Sequence, residues 1–131
     1  MKLLVVEDEP KMLGFLQKGL TESGFVVDIA VDGPEGLHLA ATGEYDLVVL
    51  DIGLPGMDGY DLARALRRLP GASQLRLAAV TAYNHSRDRQ AATRAGFERY
   101  FVKPLDVDAL QTWLALVSLQ GDAARRTVPS F

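Results

Sequence analysis

Five times along this chain, a largely apolar run of four to seven residues gives way to a stretch with apolar residues at helical spacing. The runs are "KLLVV" (2–6), "FVVDIA" (25–30), "DLVVL" (46–50), "LRLAAVT" (75–81) and "RYFV" (99–102). Their length and their Val and Ile content suit strands. Between and after them, Met12, Leu13, Leu16 and Leu20 mark a first helix, Leu62, Ala63 and Leu66 a third, and Val107, Leu110, Leu114 and Val117 a fifth. The second (34–42) and fourth (86–95) are Ala-rich and less periodic. Pro10 suits a first helical turn, and Gly24, Gly43 and Gly96 suit helix ends. Strands that alternate with helices form a parallel sheet covered on both faces. Runs that stay apolar, instead of alternating with polar residues, are what burial on both faces requires. The expected fold class is therefore α/β, a three-layer sandwich of five parallel strands and five helices.

Composition narrows the setting. At 131 residues, with 48% hydrophobic and 24% charged residues, the chain suits one globular domain with a real core. We place that domain at 1–120 and expect 121–131, "GDAARRTVPSF", to be a disordered tail or linker stub, since it has no apolar periodicity. No apolar run reaches the 18 or so residues of a membrane span, and "MKLLVVEDEP" turns acidic too early for a signal peptide. A net charge of −3 and a pI near 5.3 speak against a nucleic-acid-binding surface. Without cysteine there is no disulfide, thiolate metal site or redox centre. A soluble cytoplasmic protein is expected.

In parallel sheets the reactive crevice lies beyond the carboxyl ends of the strands. The first strand here runs into Glu7 and Asp8, the third into Asp51, the fourth ends on Thr81 and the fifth on Lys103 followed by Pro104. Each has an ordinary explanation. Asp8 could cap the helix that Pro10 opens, Thr81 could serve a turn, and Lys103 could be a solvated surface lysine. Asp51 is harder to dismiss, because it ends the most apolar strand. The topology would gather three carboxylates, a hydroxyl and an ammonium at one edge. Clustered carboxylates repel, so a cation belongs among them. Oxygen donors with one or two carboxylates suit Mg²⁺, commonly beside a phosphate. Lys103 adds a point charge for phosphate and Thr81 a hydroxyl donor. The set reads as a Mg²⁺-assisted phosphoryl-transfer site with Asp51 as the carboxylate nucleophile.

The motifs "VVEDEP", "VLDIGLPGMDG", "VTA" and "FVKP" together resemble the receiver domain of bacterial response regulators, the family of the chemotaxis regulator. The resemblance covers residues 2 to about 118, and the spacing agrees: Thr81 lies 30 residues after Asp51, and Lys103 22 after Thr81. It implies a flavodoxin-like fold with strand order 2-1-3-4-5. It implies that Asp51 is phosphorylated, that Glu7 and Asp8 form the acidic pair, and that Asp8 binds Mg²⁺ directly. The Gly53 backbone carbonyl becomes a further metal ligand. Thr81 becomes the hydroxyl that turns toward the phosphoryl group, Lys103 its ion partner and Tyr100 the aromatic switch. The Lys103–Pro104 bond is expected to be cis, which is uncommon for X–Pro bonds in general (about 5–6%).

The function so implied is a phosphorylatable switch of a two-component system or phosphorelay. Asp51 accepts a phosphoryl group from a histidine kinase or histidine phosphotransfer protein, and a surface formed by the fourth helix, fifth strand and fifth helix changes. The switch then dephosphorylates itself, with Tyr83 expected to obstruct the attacking water. It is not a conventional enzyme, since it catalyses only its own phosphorylation and dephosphorylation. A downstream protein partner, no direct DNA binding, no membrane, and a monomer or weak phosphorylation-dependent dimer complete the expectation. The chain stops where a transcription regulator would continue into a DNA-binding domain. Its first 40 residues look like such a regulator, whereas "GMDGYDLARALRRLPGASQLRLAAVTAY" onward looks more like a hybrid histidine kinase receiver. A natural single-domain regulator, a truncation and a chimera joined near 51–60 all fit. A haloacid dehalogenase-type phosphatase also uses a strand-end aspartate, but its second acid would stand at Gly53. A flavin-binding module would need a phosphate-cradling loop where this chain has the anionic "EDEP". An unphosphorylatable docking module is disfavoured by the full set of acids, Thr and Lys.

Overall fold

Parallel pairing joins five strands in the order β2-β1-β3-β4-β5 in this computed structural model, which describes residues 1–54, 56–82 and 86–127. The strands are β1 (Lys2–Val6), β2 (Val26–Ala30), β3 (Leu47–Asp51), β4 (Arg76–Thr81) and β5 (Arg99–Val102). The helices are α1 (Pro10–Glu22), α2 (Gly33–Thr42), α3 (Gly59–Arg67), α4 (Ser86–Arg94) and α5 (Val107–Thr127), with a short 3-10 turn at Ala72–Gln74 before β4. This is the flavodoxin-like sandwich that the alternation and the resemblance led us to expect.

The pleat sorts the strand side chains into two cores. Leu3 and Val5 of β1, Leu47 and Val49 of β3, Ala78 and Val80 of β4, and Phe101 of β5 face α1 and α5, where Leu13, Leu16, Leu20, Leu110 and Leu114 meet them. Leu4, Val6, Val48, Leu50, Leu77 and Ala79 face the other way, toward α2, α3 and α4. The central strands β1, β3 and β4 are buried almost throughout, while the edge strands β2 and β5 are only half covered. Thus the expectation of burial on both faces holds in the middle and lapses at the edges, where each strand has one neighbour.

Several local details differ from the sequence reading. Glu9, not Asp8, caps α1: its carboxylate accepts from the Lys11 N–H at 3.2 Å and the Met12 N–H at 2.9 Å. A side chain one methylene longer than Asp can fold back to these amides, and Asp8 is left exposed for other work. β3 extends one residue further than expected and includes Asp51, because Asp51 pairs with Val80 of β4. α5 continues beyond the periodic segment to Thr127, so the boundary expected after residue 120 falls inside the helix. Alanine and arginine in "GDAARRT" favour helix enough to carry it past Gly121. Among the described residues no helix is long and apolar enough to cross a membrane.

The loop after β3 is locked by Gly59, the first residue of α3. A Cβ there would lie 2.5 Å from the Ile52 Cα and 3.0 Å from the Asp51 carbonyl oxygen. Backbone cannot yield as a flexible side-chain tip can. Gly59→Ala is therefore expected to lower stability by about 2 kcal/mol, read as a lower urea midpoint. No change in that midpoint would show that the loop gives way freely.

Candidate functional site

Register decides which strand ends meet. Val6 pairs with Leu50, so Glu7 and Asp51 are the next residues along adjacent strands, and Asp51 itself pairs with Val80. Thr81 pairs with Val102, which places Lys103 just beyond it, and the Lys103 N–H donates to the Thr81 carbonyl at 2.7 Å. Continuing the pleat puts Glu7, Asp51 and Lys103 on the α1–α5 face, and Thr81 on the opposite face. Tyr100 packs on that opposite face too, half-buried, paired with Ala79 two residues before Thr81.

The Lys103 ammonium bridges the two buried acids. Its Nζ lies 3.1 Å from Asp51 Oδ2 and 3.3 Å from Glu7 Oε1. The other Asp51 oxygen, Oδ1, accepts from the Gly53 N–H at 2.9 Å, and Glu7 Oε1 also accepts from the Glu9 N–H at 3.3 Å. Glu7 is 2% exposed and Asp51 6%, so a second carboxylate charge is hard to solvate here. Burial pushes the Glu7 carboxyl up to about 7, and the neighbouring Asp51 charge adds to the shift while Lys103 opposes it. For Lys103, burial works against the ammonium, yet its hydrogen bond and charge contact with Asp51, aided by Glu7, hold its pKa above the ordinary lysine value.

The raised Glu7 pKa fixes the sign of a pH effect. The folded protein holds the proton more tightly than the unfolded chain does, so the stabilisation is full below the unfolded value near 4.5 and fades as pH rises through about 7. In chelator, the wild-type melting temperature is expected to fall across that window relative to Glu7→Gln, which cannot ionise. Parallel pH profiles for the two proteins would overturn this assignment.

Glu7, Asp8 and Asp51 can each offer a carboxylate oxygen, and these three oxygens lie within 4.8 Å of one another. Oxygens around an octahedral Mg²⁺ at about 2.1 Å stand roughly 3 to 4 Å apart, so a small contraction would close the set. The donors are all oxygen, and Asp8 and Gly53 are exposed, leaving one side open to solvent. The residues present thus fit a divalent cation. The Lys103–Pro104 peptide bond is cis. Tyr83 lies outside the described residues. Sequence reasoning had no signal for the Gly53 N–H as a donor to Asp51, because a backbone amide carries no residue identity.

A family model for the response regulator receiver domain matches residues 3–115. The transcriptional activator protein IrlR of Burkholderia pseudomallei is 43% identical over 128 residues, covering 98% of this chain and 55% of that protein. The transcriptional regulatory protein CusR of Escherichia coli K12 is 50% identical over 105 residues, or 79% of this chain and 45% of the relative. The chain therefore spans about half the length of these curated relatives. The alignment with IrlR covers 98% of this chain and so extends across 51–60. The receiver domain of Francisella response regulator 1452 matches with a TM-score of 0.84 at 27% identity, over 92% of this chain and 98% of that one. The receiver domain of sensor histidine kinase PA1611 from Pseudomonas aeruginosa PAO1, solved with a magnesium ion in its active-site cleft, matches at 0.79 and 30% identity, over 86% and 93%.

Proposed function

Since this chain belongs to the response regulator receiver domains of two-component signalling, we propose that it is a switch set by a phosphoryl group on Asp51. One observation carries the reading. A buried carboxylate ends a central strand with a lysine ammonium 3.1 Å away and two further carboxylates close enough to share a cation.

The Asp51 carboxylate attacks phosphorus, forming an O–P bond as the P–N bond of a phosphohistidine breaks; the donor is a histidine kinase or histidine phosphotransfer protein. Glu7, Asp8, Asp51 and the Gly53 carbonyl would hold Mg²⁺, which supplies charge neutralisation and orientation for the transferred group. Lys103, whose Nζ lies 3.1 Å from Asp51 Oδ2, would donate to a phosphoryl oxygen on Asp51, and the Gly53 N–H would steady the carboxylate for attack. Phosphorylation adds charge of about −1.5 to −2 at the sheet edge. The Thr81 hydroxyl answers that charge, and Tyr100, on the same face of the sheet, follows into the space Thr81 leaves. The surface of α4, β5 and α5 changes and a protein partner reads it. Hydrolysis of the acyl phosphate resets the switch.

We place this activity in the cytoplasm, with the chain acting as a monomer or a weak phosphorylation-dependent dimer and making no DNA contact of its own. The phosphatase alternative gains nothing from the site, because the position two residues after Asp51 is a glycine whose amide binds Asp51. The test is incubation with Mg²⁺ and acetyl phosphate or phosphoramidate, followed by intact mass. One acid-stable, base-labile phosphoryl adduct that chelator prevents is the expected result. No adduct on the wild-type protein would overturn the switch reading.

A further inference from the structure

α4 is fastened at its C-terminal end. Ala92 of the helix is buried, and Ala95, just past its last residue, is half-buried. This end is tied down several ways. Gly96, at φ +94°, turns the chain, its N–H donating to the Thr93 carbonyl at 3.1 Å, and the Phe97 N–H reaches back to the Ala92 carbonyl at 3.0 Å. The buried Phe97 ring then meets Tyr60 of α3 edge-on, with centroids 6.4 Å apart.

Arg67, the last residue of α3, completes the fastening. Its Nη2 donates to the Gly96 carbonyl at 3.1 Å, and its Nη1 to the Ala72 carbonyl at 3.2 Å and the Leu75 carbonyl. One planar guanidinium therefore joins the end of α3, the approach to β4 and the end of α4. Glycine at 96 serves this contact as well as the turn, because a Cβ there would sit 3.1 Å from Arg67 Nε. The other end of α4 begins five residues after Thr81, the hydroxyl beside the acceptor edge.

We propose that Arg67 is a positioning residue that makes the C-terminal end of α4 a fixed pivot. A change at Thr81 then turns the helix about Gly96 instead of letting it slide or fray. A point fixed at one end lets displacement at the other become a defined rotation. Arginine suits the place because its fork offers several donors in one plane to separate carbonyls. The signalling part of this inference rests on the switch reading above; the fastening itself does not.

Hydrogen exchange read by mass spectrometry tests it on the whole chain, for wild type, Arg67→Met and Arg67→Lys, with and without Mg²⁺ and beryllofluoride. Methionine is a good helix former, so α3 is retained. In metal-free Arg67→Met, amides of residues 86–97 are expected to exchange about fivefold faster, the factor that a net hydrogen bond of about 1 kcal/mol represents. Those of β1 and β3 should hold their rates. The response of 86–97 to beryllofluoride should be lost in this variant while the acetyl phosphate adduct still forms, and Arg67→Lys should fall between. Unchanged exchange in 86–97, or equal acceleration throughout the sheet, would overturn the pivot. Failure of the wild-type protein to form an adduct would strike the switch reading instead, and the metal-free comparison would still decide whether Arg67 holds the helix end.

Discussion

Asp51→Asn is expected to abolish the phosphoryl adduct formed with acetyl phosphate and Mg²⁺ while leaving the fold intact. The amide oxygen can still accept from the Gly53 N–H, which holds Asp51 Oδ1 at 2.9 Å, so the strand end keeps its conformation. What disappears is the anionic oxygen that attacks phosphorus, along with one of two buried like charges. Because the Asp51 charge helps to raise the Glu7 pKa, the variant should also bring Glu7 back toward the ordinary glutamate range. Its pH profile of stability in chelator should flatten accordingly. Intact mass and a pH series of thermal melts measure both effects. An undiminished adduct on the variant would move the acceptor to another residue and sink the assignment.

Lys103→Met is expected to give the largest loss of stability in the metal-free protein. The ammonium lies 3.3 Å from Glu7 and 3.1 Å from Asp51, and both carboxylates are buried. Removing the cation leaves two charges with no nearby compensation, which costs on the order of 3 kcal/mol when one partner of a buried pair is deleted. Two conditions should relieve the defect. At pH 5, Glu7 takes up a proton and the repulsion falls; with Mg²⁺ present, the carboxylates regain a cation. Urea titrations at pH 5 and 8, with Mg²⁺ or with chelator, separate these contributions. Equal destabilisation under all four conditions would mean that Lys103 acts by packing, not by charge. The same variant should also accept a phosphoryl group more slowly, because no ammonium then faces the transferred oxygens.

The strands and helices were legible because burial on both faces forces unbroken apolar runs, and the parallel sheet followed from their alternation with helices. The acids, hydroxyl and lysine at strand ends were legible for the same reason: a charge after an apolar run stands out. Caps were harder to read. Asp8 had the residue type of an N-cap, yet Glu9 took that place, since a choice between neighbouring carboxylates depends on backbone angles that residue identity does not set. Arg67 sits in the charged run "RALRR" (64–68), and its three carbonyl partners come from segments up to 29 residues away. Nothing local distinguishes an arginine that fastens two helices from one that faces water.

The amino-acid sequence by itself therefore determined the elements, the alternation that makes the sheet parallel, and the chemistry available at its carboxyl edge. Period and residue type are local properties, and they survive without the fold. Only the tertiary structure decided that Lys103 stands between Glu7 and Asp51, 96 and 52 positions away in the chain. Strand register alone places Glu7 beside Asp51 and Thr81 across the pleat from both. The perturbed titration of Glu7 is likewise tertiary, because burial and a second charge act through space and not along the chain.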